Sequence, residues 1–237
     1  MFYSKFSKDY EQIFPFSKAV YSFLKGYLPS GNVNILDIGC ATGHYCGRFT
    51  GEGFNTTGID LDSDMIHTAN NTYPGSKFEV LNLVDINRVS GEFSFVYSTG
   101  NVMAHISIQE FKNFLSLLKG KMQDTGVWIF QVINWDYILQ KNEFTFSEIE
   151  TKEKIFVRKY TDINKNTLTF NTELKNKKSG EIVFKDKVTM YPVPSEKYID
   201  IHKESGFELL GHYADYGKLA FNSNNFSADI YVFQLEK

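Results

Sequence analysis

The sequence predicts an α/β fold, a mostly parallel sheet with helices on both faces and an inserted antiparallel sheet. Three observations predict it. Short apolar runs alternate with helical patterns from Asn34 to Ile133, the rhythm of βαβ units. The first run, Asn34-Ile35-Leu36-Asp37-Ile38, breaks at once into Gly39-Cys40-Ala41-Thr42-Gly43. Open α/β sheets meet their ligands at tight strand-end turns of this kind. After Asn134 the apolar period drops to two, which reads as a hairpin or three-stranded antiparallel sheet.

The 237 residues hold one α/β domain with an insertion. A chain of this length buries about 70% of its unfolded surface without staples. Its 25 Lys and Arg against 28 Asp and Glu leave a net charge of -3, with no basic footprint for nucleic acid. The densest basic cluster, 175–178, sits beside Ser179-Gly180 and reads as a solvated hairpin tip. Cys40 and Cys46 make neither a C-x-x-C pair nor a zinc spacing, so no disulfide framework and no metal are expected. A cytoplasmic protein is expected. The first residues lack the basic-then-apolar pattern of a signal peptide, and no apolar run approaches the roughly 18 residues of a membrane span. With 22 Phe and 14 Tyr, the core and any pocket should be aromatic.

Residues 1–30 are expected to form a helical lid. Phe2, Tyr3, Phe6, Tyr10, Ile13 and Phe14 recur at helical spacing as one aromatic stripe. Ser17 is expected to cap a second helix with Val20, Phe23, Leu24 and Tyr27 on one face, ended by Pro29-Ser30-Gly31. The core is expected over 31–140 and 192–237, with strands at 34–38, 55–59, 77–81, 93–98 and 127–133. Helices are expected from His44 to Phe49, from a Ser63 cap through Met65, Ile66 and Ala69, and from a Ser107–Glu110 capping box. Residues 141–191 are expected to form the cap sheet. Leu168, Phe170, Thr172 and Leu174 alternate on one side of the turn at 177–180, and Ile182, Phe184, Val188 and Met190 on the other. Ile155, Val157 and Lys159 suggest a third strand. Ser195 is expected to cap a final helix that Gly206 stops, and strands at 208–213 and 229–235 close the chain.

The run Ile35-Leu36-Asp37-Ile38-Gly39-Cys40-Ala41-Thr42-Gly43 resembles motif I of the class I S-adenosylmethionine-dependent methyltransferases. Gly58-Ile59-Asp60-Leu61-Asp62-Ser63-Asp64-Met65 resembles their second motif. The resemblance extends over nearly the whole chain. It implies a Rossmann-like sheet of seven strands, with S-adenosylmethionine as cofactor and S-adenosylhomocysteine as product. It places cofactor contacts at Asp37, Gly39, Cys40, Ala41, Gly43, Asp60, Leu61, Met65, Asn82, Leu83, Ser98 and Thr99. Asp60 would take both ribose hydroxyls, a task for an acceptor-only carboxylate. A nicotinamide-type dinucleotide fold also wants an acid at about that distance, but with G-x-G-x-x-G. Here the positions after Gly39 are Ala41 and His44, so the third glycine is missing. At the adenine end, where the family often has an acid, Asn82 stands, with Asp85 as the competing alignment.

Ser98-Thr99-Gly100-Asn101-Val102-Met103-Ala104-His105 holds no Asn/Asp-Pro-Pro-Tyr/Phe run, the mark of enzymes methylating nucleic-acid base amines. Nor does it begin the carboxylate cluster of metal-dependent catechol-type enzymes, since Asp136 stands alone. It is similar instead to the glycine N-methyltransferase and amino-sugar N,N-dimethyltransferase groups, as is Asn134-Trp135-Asp136-Tyr137-Ile138-Leu139. Their N-terminal Tyr-Asp corresponds to Asp9-Tyr10, in reversed order. The resemblance implies a small-molecule acceptor, His105 and Tyr10 as catalytic residues, and acceptor contacts from Tyr3, Asn101, Asn134, Tyr137 and Arg158. An amine must be neutral to attack, so His105, with an ordinary pKa near the working range, is read as the base. Tyr10 would cover the sulfonium, and Arg158 would suit a carboxylate or phosphate. Transfer to a carboxylate or hydroxyl oxygen, and a non-catalytic cofactor-binding protein, stay open as alternatives. His44, His67, His202 and His212 carry no expected role.

Overall fold

The computed structural model describes residues 10–237. The helices are α1 (Tyr10–Ile13), α2 (Lys18–Lys25), α3 (His44–Gly51), α4 (Ser63–Thr72), α5 (Ile108–Lys119), α6 (Trp135–Ile138) and α7 (Ser195–Glu204). The strands are β1 (Asn34–Ile38), β2 (Asn55–Asp60), β3 (Lys77–Val80), β4 (Phe93–Ser98), β5 (Met122–Ile133), β6 (Phe144–Thr145), β7 (Ile149–Glu150), β8 (Lys154–Thr161), β9 (Leu168–Asn176), β10 (Ile182–Met190), β11 (Phe207–Tyr213) and β12 (Ala228–Leu235). Seven of them form one sheet in the order β11-β12-β5-β4-β1-β2-β3. β1 to β5 run parallel, and β12 enters antiparallel between β5 and β11. The second sheet has the path β10-β9-β8-β6, with β7 also paired to β8, all antiparallel. The expected fold class is the observed one.

Alternation along each central strand divides the core in two. Leu36, Val96, Trp128, Phe130, Tyr231 and Phe233 face α5 and α7, while Ile35, Phe95, Tyr97, Ile129, Ile230 and Val232 face α2 and Phe49 of α3. The cap sheet joins the first cluster through Tyr160, Leu168, Phe170 and Met190. At the junction, Tyr191 N–H donates to Ala104 O at 2.8 Å. Asn101 Nδ2 donates to Tyr160 Oη at 3.4 Å and to Met190 Sδ at 3.7 Å.

Several boundaries differ from expectation for local reasons. Asp62, not Ser63, caps α4, because its Oδ1 reaches the N–H groups of Asp64 and Met65. Pro194, not Ser195, precedes α7, and the Ser195 N–H is taken by Asp136 Oδ2 at 3.1 Å. The second helix ends at Lys25 with Gly26 as its C-cap, before the Pro29 signal. β5 begins at Met122, five residues early, through a kink at Thr125 (φ 60) and Gly126. β8 is the expected third strand of the cap sheet, with Phe156, Arg158 and Tyr160 on its inward face and Ile155, Val157 and Lys159 on the other. Two short 3-10 helices, Leu83–Arg88 and Val102–His105, follow β3 and β4 where no element was expected. The capping box at Ser107 is as expected, with Glu110 accepting from the Ser107 N–H and Ser107 Oγ from the Glu110 N–H.

Among the described residues no helix is long and apolar enough to cross a membrane.

Candidate functional site

A cavity of about 450 Å³ opens at the C-terminal ends of the parallel strands, where such sheets bind ligands and within the range of small-molecule sites. One wall is the turn after β1 and the end of β2, with Gly39, Ala41, Ile59, Asp60, Leu61, Asp62 and Met65. A second is Leu81, Asn82, Leu83 and Val84 after β3. A third is Thr99, Gly100, Val102, His105, Ile106 and Glu110 after β4. Tyr10 and Phe14 of α1 and Val188 of the cap sheet complete it.

The turn is locked from beneath. Gly39 N–H and Cys40 N–H both donate to Ile59 O, at 2.8 and 3.0 Å. Gly39, Ala41 and Gly43 all take positive φ, at 76, 49 and 80°. A Cβ on Gly39 would lie 2.5 Å from Val102 Cγ2, so the bare backbone lets the strand end pass under the wall after β4. A Cβ on Gly43 would meet Phe78 at 2.5 Å. Gly43 therefore serves the packing of α3 against β3 and stays off the cavity wall, contrary to its expected cofactor contact.

Asp60 is the best-prepared polar group of the cavity. Its Oδ2 accepts from Ala41 N–H and its Oδ1 from Asp62 N–H, both at 2.9 Å. Two backbone donors fix the plane of the carboxylate, and each oxygen keeps lone-pair capacity for one further donor. Burial raises its pKa, opposed by the N–H groups of Asp62, Ala41 and Leu61. On the wall after β3, Asn82 lines the cavity while Asp85 is exposed. Asn82 Oδ1 already accepts from Val84 N–H at 3.3 Å, capping the 3-10 helix, so only part of its acceptor capacity remains.

His105 is half-buried on the far wall, and burial pushes its pKa from the usual 6.5 down to about 4. The expected near-neutral titration is thus absent: the imidazole is neutral throughout the physiological range. Charging it would place an ion in an apolar wall that includes Val102 and Ile106.

The cavity gathers Tyr10, Gly39, Ala41, Asp60, Leu61, Met65, Asn82, Leu83, Thr99 and His105 of the expected residues. The remaining described ones lie off its wall with their side chains committed elsewhere. Asp37, buried beneath the turn, accepts from Tyr97 Oη at 2.9 Å and from Cys46 Sγ at 3.6 Å. Cys40 packs with Ile66, Ala69 and Phe78, and Ser98 Oγ donates to Ile38 O at 2.7 Å. Asn101 Oδ1 accepts from Ile133 N–H at 3.0 Å, tying two strand ends together. Asn134 caps α6 and holds the 222–225 loop through Asn222 O and Asn225 O. Tyr137 joins Phe144 and Phe226. Arg158 lies over the Phe146 and Phe156 rings and donates to Ser147 O, its Nε buried without a partner. Tyr3 and Asp9 lie outside the described residues, as does the lid up to residue 9.

Sequence reasoning missed Phe14, Val84, Val102, Ile106, Glu110 and Val188 as wall residues. The spacing of Val102 and Ile106 after Asn101 was the available signal, but a 3-10 helix followed by a capped α-helix masked it. Of the four histidines set aside on sequence, His202 is held in the core: Trp128 Nε1–H donates to His202 Nε2, and His202 Nδ1 reaches Tyr198 O. Because indole only donates, His202 carries its proton on Nδ1 and is a neutral core residue.

Comparison with known proteins agrees with this geometry. Residues 35–126 match the profile of the methyltransferase domain family. A protein of Geobacillus sp. (strain WCH70) named as a methyltransferase is 46% identical over 46 residues, 19% of this chain and 19% of that protein. That match thus spans about a fifth of the relative. Over the whole length, the fold is that of an S-adenosylmethionine-dependent methyltransferase from Clostridium acetobutylicum ATCC 824, with TM-score 0.82, 14% identity and 99% of both chains covered. It is also that of an amino pentose methyltransferase of calicheamicin biosynthesis from Micromonospora echinaspora, solved with S-adenosylmethionine bound, with TM-score 0.71, 13% identity and 96% and 95% coverage. A sugar N-methyltransferase from Streptoalloteichus sp. ATCC 53650 superposes with TM-score 0.70 at 16% identity, over 99% of this chain and 93% of the other. Residues 35–126 thus resemble a methyltransferase domain, and the whole chain has the fold of these S-adenosylmethionine-dependent methyltransferases.

Proposed function

We propose that this protein moves the methyl group of S-adenosylmethionine to an amine nitrogen of a small molecule by direct displacement. One observation carries the reading: the Asp60 carboxylate, held by the Ala41 and Asp62 N–H groups, is aimed into a cavity with lone pairs to spare for a vicinal diol. That donor set fits a ribose, and the bare Gly39 backbone beside it fits a close-lying chain. When bound, S-adenosylmethionine supplies a methyl group on an already activated sulfonium. The chain's own task is therefore alignment and exclusion of water, which can supply roughly 7–11 kcal/mol.

Tyr10 and Phe14 cover the cavity with aromatic faces suited to a cationic centre. Leu83 and Asn82 offer polar backbone and amide groups to a purine edge. His105, held neutral, accepts a hydrogen bond from the acceptor's N–H and orients it, while the apolar wall of Val102 and Ile106 disfavours the ammonium form. A base this weak is poorly matched to a hydroxyl, which favours nitrogen over a hydroxyl oxygen as the methyl acceptor. The sugar N-methyltransferase among the structural neighbours is compatible with that choice.

The decisive experiment has two parts. Calorimetry with S-adenosylmethionine and S-adenosylhomocysteine should give saturable binding, and binding of neither ligand would remove the cofactor assignment. A turnover screen of amines, amino acids and amino sugars, run beside hydroxyl and carboxylate acceptors, should then show methylation at nitrogen. His105→Ala and Tyr10→Ala should both slow turnover of the best amine.

A further inference from the structure

The short helix α1 presents Tyr10 and Phe14 to the cavity, and between them Glu11 turns the other way. Glu11 Oε1 accepts from Thr42 Oγ1 at 2.9 Å. Thr42 is 1% exposed and lies in the turn between Ala41, which holds Asp60, and Gly43. The same carboxylate contributes, behind burial, to the raised pKa of Tyr73 at the end of α4, so it sits in the notch where turn and helix meet. On its opposite side α1 is fixed to the cap sheet. Ile13 and Phe14 pack with Phe156, Leu174 and Phe184, and the Phe14 and Phe156 rings meet edge-on at 5.8 Å. Among the described residues two attachments seat α1. One is apolar and tolerant of sliding. The other is polar and directional, from Glu11 to Thr42 of the turn, with Tyr73 at the end of α4 beside it.

We propose that Glu11 and Thr42 are a positioning pair, which registers α1 against the turn so that Tyr10 and Phe14 close over the bound cofactor and slow its departure. The inference rests on the reading of the cavity as the cofactor site. Neither residue touches the reacting atoms. Both act through the wall that α1 forms, and through α1 they link the turn to the cap sheet.

The test compares wild type with Glu11→Ala, Glu11→Gln, Thr42→Val and the Glu11→Ala/Thr42→Val double variant. Calorimetry and stopped-flow would give the affinity and dissociation rate of S-adenosylhomocysteine. Glu11→Ala and Thr42→Val should each weaken binding about tenfold, mostly through faster release. The double variant should be no worse than Glu11→Ala, since both remove the Glu11–Thr42 bond. Glu11→Gln keeps an acceptor oxygen for Thr42 and should stay near wild type, an outcome that separates the bond from generic charge at the mouth. Additive losses, or unchanged release in both single variants, would overturn the pairing. Amide hydrogen exchange over 10–16 in the ligand-free protein should rise in Glu11→Ala and Thr42→Val, and unchanged exchange would also overturn it. If wild type binds no cofactor while exchange still rises, the contact stands and the reading of the cavity fails.

Discussion

At the scale of single residues, Asp60 and His105 carry opposite predictions about charge. Asp60→Asn keeps the shape but loses acceptor capacity and places donors against the fixed N–H groups of Ala41 and Asp62. Cofactor affinity should fall about ten- to a hundredfold, the range for hydrogen bonds to a charged group, as calorimetry would measure. For His105 the pH dependence is the sharper test. Its folded pKa of about 4 leaves the neutral form intact through pH 6. If it assists by accepting a hydrogen bond, kcat/KM should show no inflection near 6.5 from this group, and His105→Ala should lower it about ten- to a hundredfold. A wild-type inflection at 6.5 that vanishes in His105→Ala would mean the imidazole is far better solvated than its wall implies. The sequence made Asp60 legible, because an acid at a strand end 17 residues after Gly43 can serve few other purposes. It could not convey the pKa of His105, since the desolvating wall is assembled from Val102, Ile106 and distant elements.

At the scale of elements, the turn after β1 teaches that glycine has two uses within five residues. Gly39 clears the wall after β4, whereas Gly43 clears Phe78 and Ala69 on the packing side. Gly43→Ala must hold a Cβ at φ 80 against an aromatic ring 2.5 Å away. We expect a loss of about 1–3 kcal/mol in thermal or urea unfolding, with a smaller change in cofactor affinity per unit of stability than for Asp60→Asn. A variant that abolished binding without moving the unfolding midpoint would return Gly43 to the cofactor. Strand and helix placement was legible wherever periodicity and caps agreed, as at β4 and the Ser107 box. It failed where the signal was a side chain's reach: Asp62 outcompeted Ser63 because two N–H groups lay within range of one carboxylate oxygen. Which face of β8 points inward was not legible from alternation. Arg158 occupies an inward position that polar-outside patterning assigns to solvent, and stacking on Phe146 and Phe156 is what makes that position tolerable.

At the scale of the whole molecule, the cap was expected as its own unit over 141–191, yet its inner face shares a continuous cluster with Met103, Trp135 and Phe130 of the core. Core and cap should therefore unfold together, with tryptophan fluorescence and far-ultraviolet circular dichroism giving coincident urea transitions. The pH dependence of that single transition has a calculable component at Asp37. Burial lifts this carboxyl from 3.8 to about 7, against the opposing hydrogen bonds from Tyr97 and Cys46. The folded state therefore binds a proton that the unfolded chain releases. This contribution to stability is fully present below about pH 4 and is lost as pH rises toward 7, about 4 kcal/mol across the window. Asp37→Asn removes the ionisation and keeps an acceptor for the Tyr97 hydroxyl, so the difference in unfolding free energy between variant and wild type should grow in the variant's favour from pH 4 to 7 and then level off. A difference that stayed flat over that range would mean Asp37 is ionised in the folded protein, with the Tyr97 and Cys46 bonds outweighing burial.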